Sequence, residues 1–252
     1  MQSSIDFNCD LGEGCGNDAA ILPFISSASL ACGFHAGDSA SLRDAIAACV
    51  AAGVAIGAHP SFADREHFGR REHTLAARDV HALVVYQIGA TAALAKSAGT
   101  CLNHVKPHGA LYNLAARDAD CARAVAQAVR DCDPQLLLYG LADSNLTRAG
   151  EELGLDVVHE VFAERRYQAN GQLVPRGQPD AVIADVAESL QQVRCMLSEG
   201  VVIANDGLRL PIRAQSLCLH GDRGDAVEFA AGVRGLLERM GVAVRPPRRN
   251  IH

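Results

Sequence analysis

The sequence predicts an α/β protein whose single domain is a closed or nearly closed (β/α) barrel. Short apolar runs alternate with segments of helical period along the whole chain, which is typical of a parallel sheet. These runs are apolar on both faces, as parallel strands are. No linker or charge block divides residues 1–252, so we expect one domain. A doubly wound open sheet is the alternative, weakened because no Gly-rich dinucleotide fingerprint follows the first strand.

Each predicted strand is a short apolar run followed by a loop. Lys106 closes its strand because the residue before a proline prefers extended geometry, and Pro107 follows it. The predicted strands are Ile5–Cys9, Leu30–Cys32, Val54–Ile56, His104–Lys106, Leu136–Tyr139, Val157–Phe162 and Leu217–Leu219, with Val201–Ala204 as a further strand or a lining segment.

Between the strands, apolar residues recur at the spacing of helices that bury one face. Asp38 or Ser39 can cap the first long helix, and Gly53 ends it. The predicted helices are Asp38–Ala52, Leu75–Ala98, a segment that begins near Gly109, Asp118–Arg130, Asn145–Leu153, Asp180–Ser198 and Ala226–Met240.

Composition and charge argue against several classes of protein. The net charge of -6 disfavours a general nucleic-acid-binding protein, which would need a basic face. No apolar run approaches the length of a membrane span, and the N-terminus lacks the features of a signal peptide. The nine cysteines contain no C-x-x-C pair, so we expect reduced thiols and a cytoplasmic protein.

Acidic, basic and imidazole side chains recur where predicted strands end. The loops after the strands of a (β/α) barrel share one face, so we expect these side chains to meet at one active site. The candidate catalytic residues are Asp10, Glu13, His35, His59, Lys106, His108 and His220. The candidate substrate-binding residues are Asp38, Arg70, Glu160, Arg165 and Asp222. The remaining histidines are interpreted as surface or packing residues, namely His67, His73, His81, His104, His159 and His252.

Two of these interpretations have alternatives. Lys106 is one of only two lysines, so it could hold a substrate carboxylate or phosphoryl group, or form an ion pair with Glu160 or Asp10. Asp10, His35 and His59 could form an open metal site that activates water, although no H-E-x-x-H motif requires one. The chain has no G-x-x-x-x-G-K-[ST] loop, so an ATP site is not readable here or lies on another chain.

Several blocks of sequence match a known family over nearly the full length. They are Ile5–Gly14, Ala31–Asp38, Gly57–Asp64, Phe68–Arg71, Tyr86–Ala90, Val105–Asn113, Glu160–Tyr167, Leu173–Arg176 and Leu217–Asp222. Long blocks such as VKPHGALYN are very specific, and on them the chain resembles the LamB/YcsF family. Glu164 stands where this family usually has an aspartate.

The resemblance implies a seven-stranded (β/α) barrel of the glycoside hydrolase/deacetylase type. It also implies cleavage of 5-oxo-L-proline to L-glutamate, coupled to ATP hydrolysis, together with partner subunits B and C. ATP would then be bound by or shared with those partners, while the presence of a metal and of a homo-oligomer stays open.

This activity suggests a role for each candidate residue. Lys106 and Arg165 would hold the substrate carboxylate or a phosphoryl group, and Asp10 or Glu13 would orient or deprotonate the attacking water. The strand-end histidines would stabilise the oxyanion and protonate the leaving nitrogen, with Asp38 and Asp222 fixing their tautomers. The alternatives are a metal-dependent deacetylase or amidohydrolase that uses Asp10, His35 and His59, and a non-catalytic scaffold or uptake regulator.

Overall fold

The computed structural model describes residues 3–222 and 224–249, so the prediction for His252 lies outside the described residues. The strands are β1 (Ser4–Leu11), β2 (Ser27–Ala31), β3 (Ala55–His59), β4 (His104–Val105), β5 (Leu137–Leu141), β6 (Val157–Phe162), β7 (Val201–Ile203), β8 (Arg209–Pro211), β9 (Ser216–His220) and β10 (Ala243–Val244). The helices are α1 (Asp18–Ile21), α2 (Ser39–Ala52), α3 (Ala77–Ser97), α4 (Gly109–Arg117), α5 (Ala119–Cys132), α6 (Asn145–Glu152), α7 (Val186–Glu199) and α8 (Ala226–Arg239). Within these ranges, no helix is both long enough and apolar enough to cross a bilayer.

Parallel strands close into a seven-stranded barrel. They follow the order β1-β2-β3-β4-β5-β6-β9, and β9 pairs with β1 as well as with β6. This closure confirms the predicted (β/α) barrel and excludes the doubly wound open sheet. Strand β10, which sequence analysis missed, extends the sheet beside the start of β1.

The register places several polar residues at one end of the barrel. Asp10 in β1 lies opposite Ser29 of β2 and His220 of β9. His59 is the last residue of β3. Because the barrel strands are parallel, their carboxyl ends lie together, and this end of the barrel carries Asp10, His59 and His220.

Two features between β6 and β9 refine the predictions. The apolar run at residues 201–204 contains a further strand, as predicted, but β7 lies outside the barrel because it pairs with β8 in a separate antiparallel hairpin. Helix α7 begins at Val186 rather than at residue 180, because Asp185 caps it by accepting a hydrogen bond from Glu188 N. The preceding residues form part of an irregular loop, in which Val182 bridges to Arg165.

Gly57 leaves room inside the barrel for the ring of His104. His104 is fully buried, and its ring stacks on Tyr139 with centroids 4.2 Å apart. Its Nε2 lies 3.2 Å from Ser29 Oγ. A Cβ added to Gly57 would lie 2.2 Å from that same nitrogen. His104 is therefore a packing residue, as predicted.

We expect Gly57→Ala to lower the free energy of unfolding by about 3 kcal/mol, because neither the barrel backbone nor the buried ring can yield without loss of packing. Gly89→Ala is the matched control, since Gly89 is exposed in α3 and has nothing within 4 Å of an added Cβ. Alanine there should be neutral or stabilise by about 1 kcal/mol. Urea unfolding measures both changes, and an unchanged midpoint for Gly57→Ala would contradict this packing.

Candidate active site

The carboxyl ends of the strands surround a cavity of about 510 Å³. Most of the predicted site residues line it, namely Asp10, His59, Arg70, Lys106, His108, Glu160, Arg165 and His220. Glu13 and His35 lie next to it, where they contact His108. The structure therefore brings these residues together from strands and loops that are far apart in the chain.

Lys106 is buried among acceptors at this cavity. Its Nζ lies 2.6 Å from Asp10 Oδ1, 2.7 Å from Asn8 Oδ1 and 3.1 Å from Glu160 Oε1. Burial alone would lower the pKa of Lys106, but Asp10, Cys218 and Glu160 raise it well above its usual value. These contacts occupy the hydrogens of the ammonium group. The structure therefore contains the ion pairs of the structural alternative, and direct binding of substrate by Lys106 stays a prediction.

Asp10 connects Lys106 to two imidazoles. Its Oδ2 lies 3.2 Å from His59 Nε2 and 4.0 Å from His220 Nε2. Burial would raise the pKa of Asp10, but His59 and Lys106 lower it well below its ordinary value. Asp10 is therefore ionised near neutral pH, and it supplies fixed negative charge rather than a general base matched to that pH.

Three histidines and one glutamate form a compact cluster beside Asp10. Glu13 Oε1 lies 3.0 Å from His35 Nε2, 3.3 Å from His108 Nδ1 and 3.9 Å from His59 Nε2. Burial would raise the pKa of Glu13, but the neighbouring imidazoles of His108 and His35 lower it to about 2. Burial lowers the pKa of His35 to about 4 and also lowers that of His108. At neutral pH, both of these rings are therefore uncharged beside an ionised carboxylate.

The structure offers two groups of side chains that could hold a metal ion. In the first, Glu13, His35, His59 and His108 place one ligand atom each within 4.8 Å of one another. The second consists of Asp10, Cys218 and His220. The predicted set of Asp10, His35 and His59 is thus revised, because Glu13 and His108 join the two histidines.

His220 is oriented by Glu164. Its Nδ1 lies 2.6 Å from Glu164 Oε1, so Nδ1 carries the hydrogen and donates it to the carboxylate. Burial and the nearby Arg176 lower the pKa of His220 well below its ordinary value. The neutral ring then keeps a lone pair on Nε2, the nitrogen nearer to Asp10. This geometry leaves a neutral imidazole nitrogen that can accept a proton or a hydrogen bond at the cavity.

Asp38 and Asp222 do not fix histidine tautomers, contrary to prediction. Asp38 is exposed and caps α2, where its Oδ1 accepts hydrogen bonds from Ala40 N and Ser41 N at 3.0 and 2.8 Å. It is absent from the lining of the cavity, so the structure does not bring Asp38 together with the other predicted site residues. Asp222 forms an ion pair with Arg70 instead.

Arg165 and Arg176 bring positive charge to the cavity. Arg165 is 3% exposed and donates to Val174 O at 2.6 Å and to Ala181 O at 3.3 Å. Burial and Arg176 lower the pKa of Arg165 to about 10, which leaves it charged at neutral pH. Two guanidinium groups of this kind fit an anionic substrate group.

Sequence analysis missed Tyr112 and Arg176, which line the cavity, and Asn8, which contacts Lys106 and Glu160 beneath it. Asn8 Nδ2 donates to Glu160 Oε1 at 2.9 Å, and Tyr112 OH donates to Glu160 Oε2 at 2.7 Å. Glu160 therefore positions Lys106 and Tyr112 at the cavity, which it also lines as predicted. All three residues lie in sequence blocks that carry the family resemblance, and their place in those blocks could have identified them as candidates.

The comparison with known proteins agrees with this arrangement. A model of the LamB/YcsF family matches residues 5–252. The chain is 51% identical over 250 residues to the A subunit of 5-oxoprolinase from Bordetella parapertussis, covering 97% of this chain and 99% of that protein. Its identity to the A subunit of 5-oxoprolinase from Brevibacillus brevis is 50% over 246 residues, covering 96% and 97%. The crystal structure of the lactam utilization protein from Thermus thermophilus matches with a TM-score of 0.89 at 46% identity, covering 96% of this chain and 99% of that one. The chain therefore belongs to the LamB/YcsF family.

Proposed function

We propose that this chain hydrolyses the lactam of 5-oxo-L-proline to L-glutamate, as the A subunit of an ATP-dependent 5-oxoprolinase with subunits B and C. Relatives at 51% and 50% identity over nearly their full length bear the name of the 5-oxoprolinase A subunit. The observation that carries the proposal is one cavity lined by guanidinium groups and by a neutral imidazole held by a carboxylate. The names of these relatives do not favour the metal-dependent deacetylase alternative.

The substrate carboxylate is assigned to Arg165 and Arg176. 5-Oxo-L-proline carries one carboxylate beside its lactam, and a guanidinium group can hold it with two parallel hydrogen bonds. Both arginines line the cavity, whereas the amine of Lys106 is bound to Asp10 and Glu160.

Replacing Arg165 with methionine should raise KM for 5-oxoproline by about 10- to 100-fold, because a hydrogen bond to a charged group contributes roughly 1.5–3 kcal/mol. Arg165→Lys keeps the charge and should recover part of this loss. Arg209→Met is the surface control, because Arg209 is exposed and pairs with Glu199 at 2.6 Å. Steady-state kinetics of the complex provide the test. A fall in kcat at constant KM would argue against carboxylate binding by Arg165.

Ring opening is assigned to His220, with Glu164 as its positioning residue. His220 Nε2 would take a proton from water while the oxygen of that water attacks the lactam carbon. The C–N bond of the ring then breaks, and the proton passes to the nitrogen, which becomes the amine of glutamate. Glu164 keeps the required tautomer through its 2.6 Å contact with Nδ1.

We assign ATP binding to the partner subunits. An unstrained lactam is a poor electrophile, and phosphorylation of its oxygen by ATP, with release of ADP, would activate the carbon for attack. Water attack and C–N cleavage would then leave the new carboxyl group as an acyl phosphate, and a second water would release inorganic phosphate and glutamate. The chain contains no G-x-x-x-x-G-K-[ST] loop that would mark a phosphate site of its own. The added negative charge of a phosphorylated lactam would suit a cavity lined by Arg70, Arg165 and Arg176. We place the complex in the cytoplasm, which suits nine cysteines that are all free thiols.

Reconstitution tests the proposed function directly. The chain is mixed with subunits B and C, 5-oxoproline and ATP, and glutamate release is followed with each component omitted in turn. We expect release only from the complete mixture. Full release without this chain would contradict the proposal, and alanine variants of the strand-end histidines that keep full activity would favour a scaffold role.

A further inference from the structure

The hydrogen positions in the histidine cluster follow from two backbone carbonyls. His59 Nδ1 lies 2.7 Å from the carbonyl oxygen of Lys106, and His108 Nε2 lies 2.9 Å from that of Phe68. A carbonyl oxygen only accepts hydrogen bonds, so both of these ring nitrogens carry a hydrogen. When both rings are neutral, His59 Nε2 and His108 Nδ1 therefore each carry a lone pair.

The two nitrogen atoms, His59 Nε2 and His108 Nδ1, lie 3.0 Å apart. Glu13 Oε1 lies 3.3 Å from His108 Nδ1, and Asp10 Oδ2 lies 3.2 Å from His59 Nε2. Four acceptor atoms thus approach one another in a buried place, where unpaired acceptors are costly. A single shared proton could bridge two of them, but a cation with several coordination positions would satisfy more.

The spacing of the cluster fits a metal ion. Bonds of 2.0–2.2 Å in a tetrahedron separate neighbouring ligand atoms by about 3.4 Å. Glu13 Oε1 lies 3.3 Å from His108 Nδ1, 3.9 Å from His59 Nε2 and 3.0 Å from His35 Nε2. All four atoms lie within 4.8 Å of one another.

The carbonyl contacts also match the surroundings of metal ligands. A histidine that binds a metal through one ring nitrogen usually donates the other N–H to a carboxylate or a backbone carbonyl, which fixes its tautomer. His59 and His108 both do this, through carbonyls of Lys106 and Phe68. The rings of His35 and His108 stack with centroids 3.8 Å apart and planes only 4° from parallel, so their in-plane lone pairs cannot meet at one ion. His35 therefore supports the site by its contact with Glu13 Oε1 at 3.0 Å rather than as a ligand.

We propose that Glu13, His59 and His108 form a binding site for one divalent transition-metal ion, with the fourth position open to the cavity. Two imidazoles and one carboxylate select an ion such as Zn²⁺ or Co²⁺ rather than Mg²⁺ or Ca²⁺, which prefer oxygen ligands. His59 and His108 line the cavity, so the ion is within reach of a bound ligand. The ion would polarise the lactam oxygen, and this role rests on the proposed function, whereas the binding of the ion does not.

Co²⁺ is the probe for this site, because its visible spectrum reports coordination. The purified chain is stripped with a chelator, titrated with CoCl2, and followed by absorption and calorimetry. We expect one ion per chain, with a spectrum that lacks thiolate-to-metal charge transfer. His59→Asn and His108→Asn should each weaken binding by about 100-fold or more, since even loss of an outer-shell partner costs 10- to 100-fold.

Two control variants separate this site from other ligands. Cys218→Ser removes a member of the second group, Asp10, Cys218 and His220, and should leave binding intact. His81→Asn removes a surface histidine, which pairs with Asp131 at 2.8 Å, and should also leave it intact. Loss of binding in Cys218→Ser, unchanged binding in both His59→Asn and His108→Asn, or no binding by the wild-type chain would each overturn the proposal.

The same preparations separate the metal site from the proposed function. A chain that binds Co²⁺ as expected but releases no glutamate in the complete complex would retain the metal site and lose the function. A chain that binds no Co²⁺ but supports glutamate release would retain the function and lose the metal site. Thermal unfolding with and without Co²⁺ shows whether each variant is folded before either conclusion is drawn.

Discussion

Replacing His220 with asparagine is expected to lower kcat for glutamate release by about 1000-fold, within the range for loss of a general acid–base group. The substitution removes the Nε2 lone pair and the 2.6 Å contact between Nδ1 and Glu164. His81→Asn is the matched control. It alters a histidine that also pairs with a carboxylate, at 2.8 Å, but on the surface. Steady-state kinetics of the reconstituted complex measure both variants.

Two substitutions of Glu164 should change kcat to different extents. Glu164→Gln removes the charge that fixes the His220 tautomer, so we expect a fall in kcat of about 100-fold with little change in KM. Glu164→Asp restores the carboxylate that the LamB/YcsF family usually has at this position, and should recover most of the activity. If Glu164→Gln were fully active while His220→Asn was not, Glu164 would have no positioning role.

The pH profile separates a general base from a purely structural histidine. Arg176 lowers the pKa of His220, so Arg176→Met should raise that pKa toward its ordinary value. Protonated His220 cannot accept a proton from water, and the acid limb of the kcat profile should therefore move to higher pH. An acid limb that stays in place in Arg176→Met would contradict the assignment of His220 as the base.

The place of the active site was predictable because it depends only on strand direction. Asp10, His59 and His220 stand at or near the ends of apolar runs, and a closed parallel barrel puts all such ends together. No side-chain contact had to be known for this inference. The same logic brought Lys106 and His108 to the cavity, although it gave no information about their partners.

The partners of these residues were not predictable, because they lie on irregular loops. Glu13 meets His35 across 22 residues, and Glu164 meets His220 across 56. Loops have no period from which the direction of a side chain can be read. The sequence therefore could not distinguish among the acidic residues near strand ends as partners of the histidines. It predicted Asp222, whereas the carboxylate that contacts His220 is that of Glu164.

Asp38 shows how a local interaction excluded a long-range one. The Asp38 carboxylate accepts hydrogen bonds from the backbone N–H groups of Ala40 and Ser41. In return, Ser41 Oγ accepts a hydrogen bond from Asp38 N at 2.7 Å. This reciprocal cap was readable from the Asp-x-x-Ser spacing at the start of a helical segment. A carboxylate already bound in such a cap is not free to orient a histidine.

The second large effect is expected for Lys106→Met, which should lower the free energy of unfolding by about 3–5 kcal/mol, because it leaves buried carboxylates without a counter-charge. Asp10 and Glu160 are 5% and 0% exposed, and each lies within 3.1 Å of Lys106 Nζ. Lys96→Met is the matched control, because Lys96 is the other lysine of the chain and lies exposed in the last turn of α3. Urea unfolding of both variants gives the comparison.

A double variant then distinguishes a structural lysine from a substrate-binding one. Lys106→Met combined with Glu160→Gln removes one of the uncompensated charges, so the double variant should be more stable than Lys106→Met alone. Its glutamate release should stay low, because Asp10 has still lost its counter-charge. A lysine that held the substrate carboxylate would behave differently. Its replacement would raise KM for 5-oxoproline and leave the urea midpoint unchanged, and Glu160→Gln would bring no recovery of stability. The 2.6 Å contact between Lys106 Nζ and Asp10 Oδ1 leads us to expect the first result.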